Sequence, residues 1–123
     1  MENLIEILVK QGKSVLTNMK DLKRLSHKKN KDRAATYERL SANQHSFNVH
    51  TYVDPNIGQS NEVQAFKQKL EEFNGIFVGV GTDFEKEVNE ELVGPIFEET
   101  LVLYNEMVTA LGYEREIVNP KRF

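Results

Sequence analysis

The sequence contains no cysteine and no tryptophan, and only three prolines among its 123 residues. Without cysteine, the chain cannot form a disulfide framework, a zinc–thiolate site, an iron–sulfur cluster or a thiol nucleophile. Its longest apolar run, residues 76–81, is six residues long, whereas a helix that spans a bilayer needs about 20. The start, Met1-Glu2-Asn3, lacks the basic region of a secretory signal. We therefore expect a cytoplasmic protein that does not enter a membrane.

Apolar residues make up 39% of the chain and charged residues 28%, which is enough for one folded domain over residues 1–123. The charge is unevenly placed along it. Residues 1–45 hold ten Lys and Arg against five Asp and Glu, whereas residues 46–123 hold six against fourteen. The domain thus divides into a basic helical region and an acidic region, an asymmetry that bears on its partners rather than on its fold.

Apolar residues recur at the helical period in three segments of the first 75 residues. They predict an amphipathic helix over about residues 3–25 and a shorter helix over about 33–42, separated by the polar stretch 26–32. A third helix begins after a cap at Ser60 or Asn61. We expect it to end at Gly75, where a left-handed glycine would suit a helix terminus.

Two segments have strand-like patterns. Residues 46–53 alternate, with Phe47, Val49, Thr51 and Val53 on one face, and residues 76–80 form a short apolar run. The 22 residues between Asp54 and Gly75 suffice for a right-handed crossover, so the two predicted strands would form a βαβ unit. A third strand would come from residues 113–118 or from a second subunit.

The last third of the chain predicts two more helices. Residues 82–85 have the spacing of a capping box, Gly94-Pro95 would break the helix that starts there, and a final helix would run over about 95–111 to a stop at Gly112. The predicted fold class is therefore α+β and predominantly helical, with a long N-terminal helix and two C-terminal helices broken at Gly94-Pro95.

The final predicted helix has an unusually wide apolar face, of the kind found either in the centre of a core or at a subunit contact. Together with the shortage of strands, it leads us to expect a homo-oligomer, with a dimer favoured. The predicted interface residues are Leu101, Leu103, Tyr104, Met107 and Val108.

The densest basic segment runs from Lys20 to Arg33 and suggests a nucleic-acid or phosphate site. Its candidate residues are Lys20, Lys23, Arg24, Lys28, Lys29, Lys31 and Arg33. No helix-turn-helix, zinc-finger or RNA-binding signature surrounds them, so an ordinary solvated surface explains them as well.

A second candidate for phosphate binding is the turn of Gly79, Gly81 and Thr82, which follows a predicted strand and leads into a predicted helix. The third glycine of a dinucleotide fingerprint is missing, and Asp83 and Glu85 would repel an anion. A tight turn followed by a helix cap accounts for every residue of this segment without a bound phosphate.

Catalytic signals are weak. His50 with Asp54 could serve a small hydrolase or a metal protein, but the three histidines show no metal-ligand spacing. The many carboxylates of residues 83–106 fit a solvated acidic face better than an active site, although such a face can also imitate the phosphates of DNA. We predict no enzymatic activity, no cofactor and no metal.

The sequence therefore suggests a small, non-catalytic interaction or regulatory protein that acts as a homo-oligomer. Its partners would be a second copy or another protein. Nucleic-acid or nucleotide binding through Lys20–Arg33 is the main alternative, and a hydrolase or metal protein centred on His50 is another. A composition rich in Lys, Asn, Glu and Ile is common in phages and mobile elements, which is an association without a physical argument.

Overall fold

The computed structural model describes residues 3–26, 31–80 and 87–123. These residues form helices α1 (Leu4–Leu25), α2 (Lys31–His50), α3 (Pro55–Gly58), α4 (Asn61–Phe77) and α5 (Glu90–Ala110), followed by a 3₁₀ turn at Glu114–Glu116. The described ranges contain no strand. The predicted α+β fold with a βαβ unit is therefore wrong, and the fold is all-helical.

The four long helices pack as an up-down-up-down bundle around one hydrophobic core. Phe47, late in α2, packs edge-on against Phe66, early in α4, with the ring centroids 5.4 Å apart. Phe66 in turn lies 5.8 Å from Tyr104, late in α5. Arg33, near the start of α2, donates to the carbonyl of Ser26, which directly follows α1, at 3.4 Å. Each helix thus runs antiparallel to its neighbours, which short connections favour.

The first predicted helix is confirmed, with the side chain of Asn3 as its cap: the backbone N–H of Glu6 donates to Asn3 Oδ1 at 2.9 Å. The second helix is longer than predicted and replaces the strand expected over residues 46–53. Val49 and Val53, which the alternating pattern placed on a buried face, are about half and two-thirds exposed. Phe47 is fully buried because it continues the helical stripe of Leu40 and Gln44.

The strand predicted over residues 76–80 is also wrong, since α4 continues through Gly75 to Phe77. Phe77 extends the buried stripe of Leu70 and Phe73, and its burial favours one more helical turn. Gly75 is therefore not a helix stop. A left-handed glycine does lie nearby: Gly79, in the turn that follows α4, has φ of 79°.

Helix α5 runs unbroken through Pro95, so the predicted break at Gly94-Pro95 is wrong. Pro95 is the sixth residue of the helix and forfeits one hydrogen bond near its start, while Val93 and Phe97 are buried on either side. The predicted stop at Gly112 is confirmed: it has φ of 80°, and the N–H of Tyr113 donates to the carbonyl of Val108 at 2.7 Å. The predicted capping box at residues 82–85 lies outside the described residues.

The C-terminal segment, residues 113–123, runs back along the groove between α1 and α5 and does not form the expected strand. Tyr113 donates to a carboxylate oxygen of Glu6 at 2.9 Å. Asn105 forms two 2.9 Å hydrogen bonds with the backbone of Val118, whose side chain joins the core. Farther along, Phe123 also packs against the core. The segment therefore covers apolar surface that would otherwise face solvent.

Candidate binding surfaces

The residues predicted to form an oligomer interface lie mainly in the core of their own chain. Leu101, Tyr104, Met107 and Val108 are at most 1% exposed, and Leu103 is partly buried. The wide apolar face of α5 is shared among α1, α4 and the C-terminal segment. These four side chains therefore offer no surface to a second copy, and they do not support the predicted homodimer.

Tyr104 is closely packed between helices. A Cβ atom built on Gly12 of α1 would lie 3.4 Å from the Tyr104 ring and 3.3 Å from Phe66, so the glycine lets the three helices approach closely. Burial raises the pKa of the Tyr104 hydroxyl, with a smaller contribution from the charge of Glu116. The hydroxyl oxygen has no hydrogen-bond partner within the described ranges. It is a core residue whose polar atom is unsatisfied.

Charge is segregated between neighbouring helices of the bundle. Helix α5 contains no Lys or Arg, and its five glutamates are all exposed: Glu90, Glu91, Glu98, Glu99 and Glu106. Helix α1 instead exposes five cations: Lys10, Lys13, Lys20, Lys23 and Arg24. The bundle therefore has a basic edge at α1 and an acidic edge at α5.

Ion pairs join this acidic edge to its neighbours. Lys69 of α4 contacts Glu99 at 2.7 Å and Glu72 at 2.9 Å, and these hydrogen bonds raise the pKa of Lys69. Lys23 of α1 lies 3.8 Å from Glu98 of α5. The pair of Lys23 and Glu98 is exposed on both sides and contributes little to stability, so these two charges stay accessible to other partners.

Three of the predicted phosphate-binding residues lie together in one groove. Lys20, Lys23 and Arg24 line a cavity of about 330 Å³ whose other walls are Phe97, Glu98, Pro120 and Phe123. We call it the basic groove. The sequence pattern identified its cations, but it did not identify the apolar walls, which come from α5 and the C-terminal segment, far away along the chain.

The remaining predicted cations do not join this groove. Lys31 is exposed on α2, and Lys28 and Lys29 lie outside the described residues. Arg33 is fully buried and donates to the carbonyls of Ser26 at 3.4 Å and Val80 at 3.3 Å. It ties the end of α1 to the turn after α4, and so has a structural role. A cavity of about 400 Å³ beside it is rimmed by Glu87, Glu90 and Glu91.

The described geometry adds little support for the other two predicted sites, which are the glycine turn and the pair of His50 and Asp54. Gly79 lies in an exposed turn, while Gly81 and Thr82 are outside the described residues. His50 Nδ1 lies 2.8 Å from the carbonyl of Ser46, and Asp54 accepts a 3.0 Å bond from the N–H of Asn56 as the cap of α3. Within residues 3–26, 31–80 and 87–123, no cluster of three His, Asp or Glu side chains could hold a metal.

An exposed apolar patch that the sequence pattern does not predict lies where α2 ends. Val49, Tyr52 and Val53 are 49%, 66% and 64% exposed, and we call them the end patch. The ammonium of Lys67 lies 4.6 Å from the Tyr52 ring centroid and donates to its hydroxyl at 3.0 Å. The alternating pattern did not predict this patch, because it predicted a strand with Val49 and Val53 on its buried face.

The turn that presents the end patch is tightly packed. Thr51 is fully buried in the middle of it and donates from its hydroxyl to the carbonyl of Asn48 at 2.6 Å. The side chain of Gln59 donates to the carbonyl of Thr51 at 3.2 Å. Gly58 lies so close to the Thr51 backbone that a Cβ atom there would overlap it. The three exposed side chains are therefore held by buried contacts.

Comparisons of the chain with protein-family models, with curated proteins and with solved structures found no match. A search of the described helices for one with the length and hydropathy of a membrane span also found none.

Proposed function

We propose that this protein is a non-catalytic interaction protein that forms a homodimer through the end patch of Val49, Tyr52 and Val53. The observation that carries the proposal is the clustering of exposed apolar side chains. Three of the seven large hydrophobic residues that are clearly exposed in the described structure lie within five consecutive residues, on one end of the bundle. Exposed apolar residues that cluster on a small protein mark a contact site more often than scattered ones do.

The chemistry of the patch suits a protein partner. Tyrosine is enriched among the residues that dominate binding energy at interfaces, because its ring supplies a large contact area and its hydroxyl keeps a polar bond. Lys67 already provides that bond at the edge of the patch, so Tyr52 can be covered without losing a partner for its oxygen. The buried contacts of Thr51 hold the turn, which lowers the entropy lost on binding.

Charge favours a second copy as the partner. The net charge of the chain is only −3, so long-range repulsion between copies is weak. The basic residues of 1–45 and the acidic residues of 46–123 also allow attractive orientations between two copies. We also propose a regulatory role and a cytoplasmic location, and these two points rest on the composition of the chain alone.

The test is the mass in solution of the full chain, measured by light scattering after size-exclusion chromatography from micromolar to hundreds of micromolar concentration. We expect the mass to rise toward twice the 14.2 kDa monomer. Val53→Asp should hold the chain at the monomer mass, because it would bury a charge in the contact.

Val78→Asp is the matched control. Val78 is 68% exposed, close to the 64% of Val53, but it lies in the turn after α4 at the other end of the bundle. This variant should dimerise as the natural chain does. A monomer mass for the natural chain over the whole concentration range would contradict the proposal, as would equal weakening by the two substitutions.

A further inference from the structure

We propose that the basic groove binds single-stranded nucleic acid, with the cations of α1 on the phosphates and a base on the ring of Phe123. The proposal is independent of the homodimer. The groove lies at the C-terminal half of α1, whereas the end patch lies beside the N-terminus of α1, and the helix rises about 24 Å from Leu4 to Lys20. Each copy in a dimer formed through the end patch would therefore keep its groove open.

The cations of the groove are close to one another and available. Lys20, Lys23 and Arg24 are spaced by three and four residues, so they project from one face of adjacent helical turns. Lys23 lies 3.8 Å from Glu98, and Arg24 lies 3.9 Å from Asp21. Both distances exceed a hydrogen bond, and the side chains of Lys23 and Arg24 are 45% and 66% exposed. Phosphate oxygens can therefore take these donors at little cost.

The apolar wall of the groove is what distinguishes a nucleic acid from a simple anion. The ring of Phe123 is partly exposed and lies 6.3 Å from the ring of Phe97 beneath it. The ammonium of Lys20 is 5.5 Å from the Phe123 centroid, and that of Lys23 is 5.4 Å from the Phe97 centroid. An aromatic ring beside cations is the arrangement that single-strand binding proteins use, with bases stacked on rings and phosphates held by Lys and Arg.

The surroundings of the groove favour a single strand over a duplex. Bases of a duplex are stacked on each other and cannot lie on Phe123. Glu98 lines the groove itself, and Glu90, Glu91 and Glu99 are exposed on the same helix, α5. A wide duplex would bring additional phosphates near these carboxylates, whereas a single strand can follow the cations of α1 alone.

Fluorescence anisotropy of a labelled oligothymidine of roughly 15 nucleotides tests the proposal, because this length is at the upper end of the roughly 4–16 nucleotides that one OB fold covers in other single-strand binding proteins. The full chain should bind it at low salt at least about tenfold more tightly than a duplex of the same length. Three phosphate contacts predict a slope near −2 for the logarithm of the binding constant against the logarithm of salt concentration, at about −0.7 per contact.

Two variants separate the groove from general charge. Changing Lys20, Lys23 and Arg24 together to Glu should reduce binding more than about tenfold. The same change at Lys13, Lys31 and Arg39 alters the net charge equally, outside the groove, and should reduce it much less. Phe123→Ala should weaken oligothymidine binding about tenfold while leaving competition by inorganic phosphate unchanged.

Several results would overturn the proposal: duplex binding as tight as single-strand binding, equal losses in the two charge variants, or no effect of Phe123→Ala in a chain with an unchanged unfolding temperature. Competition by inorganic phosphate that fully accounts for the binding would identify a plain anion site and would also overturn it.

Discussion

At the scale of single residues, Tyr104 fills the core of this bundle at the cost of burying a polar atom. Its ring fills space that Gly12 leaves open, but its hydroxyl is buried without a partner in the described residues. An unsatisfied buried hydroxyl carries a desolvation penalty, so removing the oxygen alone should not weaken the fold.

We expect Tyr104→Phe to leave the free energy of unfolding unchanged or to raise it by up to about 1 kcal/mol at neutral pH. Urea unfolding measures the change. Tyr113→Phe is the matched control: the hydroxyl of Tyr113 donates to Glu6 at 2.9 Å, so its loss should cost about 1 kcal/mol. A clear loss of stability in Tyr104→Phe would show that the hydroxyl has a partner after all.

The raised pKa of Tyr104 adds a dependence on pH. In the unfolded chain a tyrosine ionises near pH 10, while in the folded chain burial keeps Tyr104 protonated above that pH. The natural chain should therefore lose stability as the pH rises above about 10, and Tyr104→Phe should lose less. Urea unfolding at neutral pH and about one pH unit above the ordinary tyrosine pKa compares the two proteins. An identical loss in both would contradict the assigned burial of the hydroxyl.

At the scale of elements, two glycines of α4 and its following turn have opposite roles. Gly75 is exposed within the helix, and no atom lies within 4 Å of the position that a Cβ atom would take there, whereas Gly79 has φ of 79°. We expect Gly75→Ala to raise the free energy of unfolding by about 0.5–1 kcal/mol, because alanine favours helix.

Gly79→Ala should lower the free energy of unfolding by about 1–2 kcal/mol, because a side chain disfavours the left-handed conformation. Thermal and urea unfolding of both variants measure the pair. The helix end that the sequence predicts at Gly75 requires the opposite result at that position, so a destabilised Gly75→Ala would restore that boundary.

The helices were easier to predict than their ends. The period of α1 and the glycine stop of α5 are strong local signals. Residues 46–53 and 76–80 are short apolar runs, which periodicity alone cannot assign to a strand or to the end of a buried helix. In both places burial of a phenylalanine, Phe47 or Phe77, favours the helix. That burial depends on partner helices, which local sequence does not specify.

The candidate surfaces were predictable only in part, for the same reason. Lys20, Lys23 and Arg24 are close in sequence and remain together in the structure. Arg33 belongs to the same charge run, but packing buries it against Ser26 and Val80. The ring of Phe123 reaches the groove only because the C-terminal segment folds back along α1 and α5.

At the scale of the whole molecule, the two proposed surfaces lie toward opposite ends of the bundle. The end patch lies where α2 ends and α4 begins, and the basic groove lies toward the end where α1 ends and α5 begins. A dimer formed through the end patch would be elongated, with its two grooves far apart. Such a dimer could contact two segments of one nucleic-acid strand, which would increase its apparent affinity.

Pulsed EPR on spin-labelled chains tests the homodimer most directly, and the absence of natural cysteine allows a single label at a chosen site. Labels at Asn56→Cys, an exposed position three residues beyond the end patch, should lie within roughly 20–30 Å of each other, because a two-fold contact brings the same patch of both copies together. Labels at Val78→Cys should lie more than about 50 Å apart, since each bundle is about 30 Å long. No dipolar coupling at position 56 at high concentration, or a shorter distance at 78 than at 56, would contradict the homodimer.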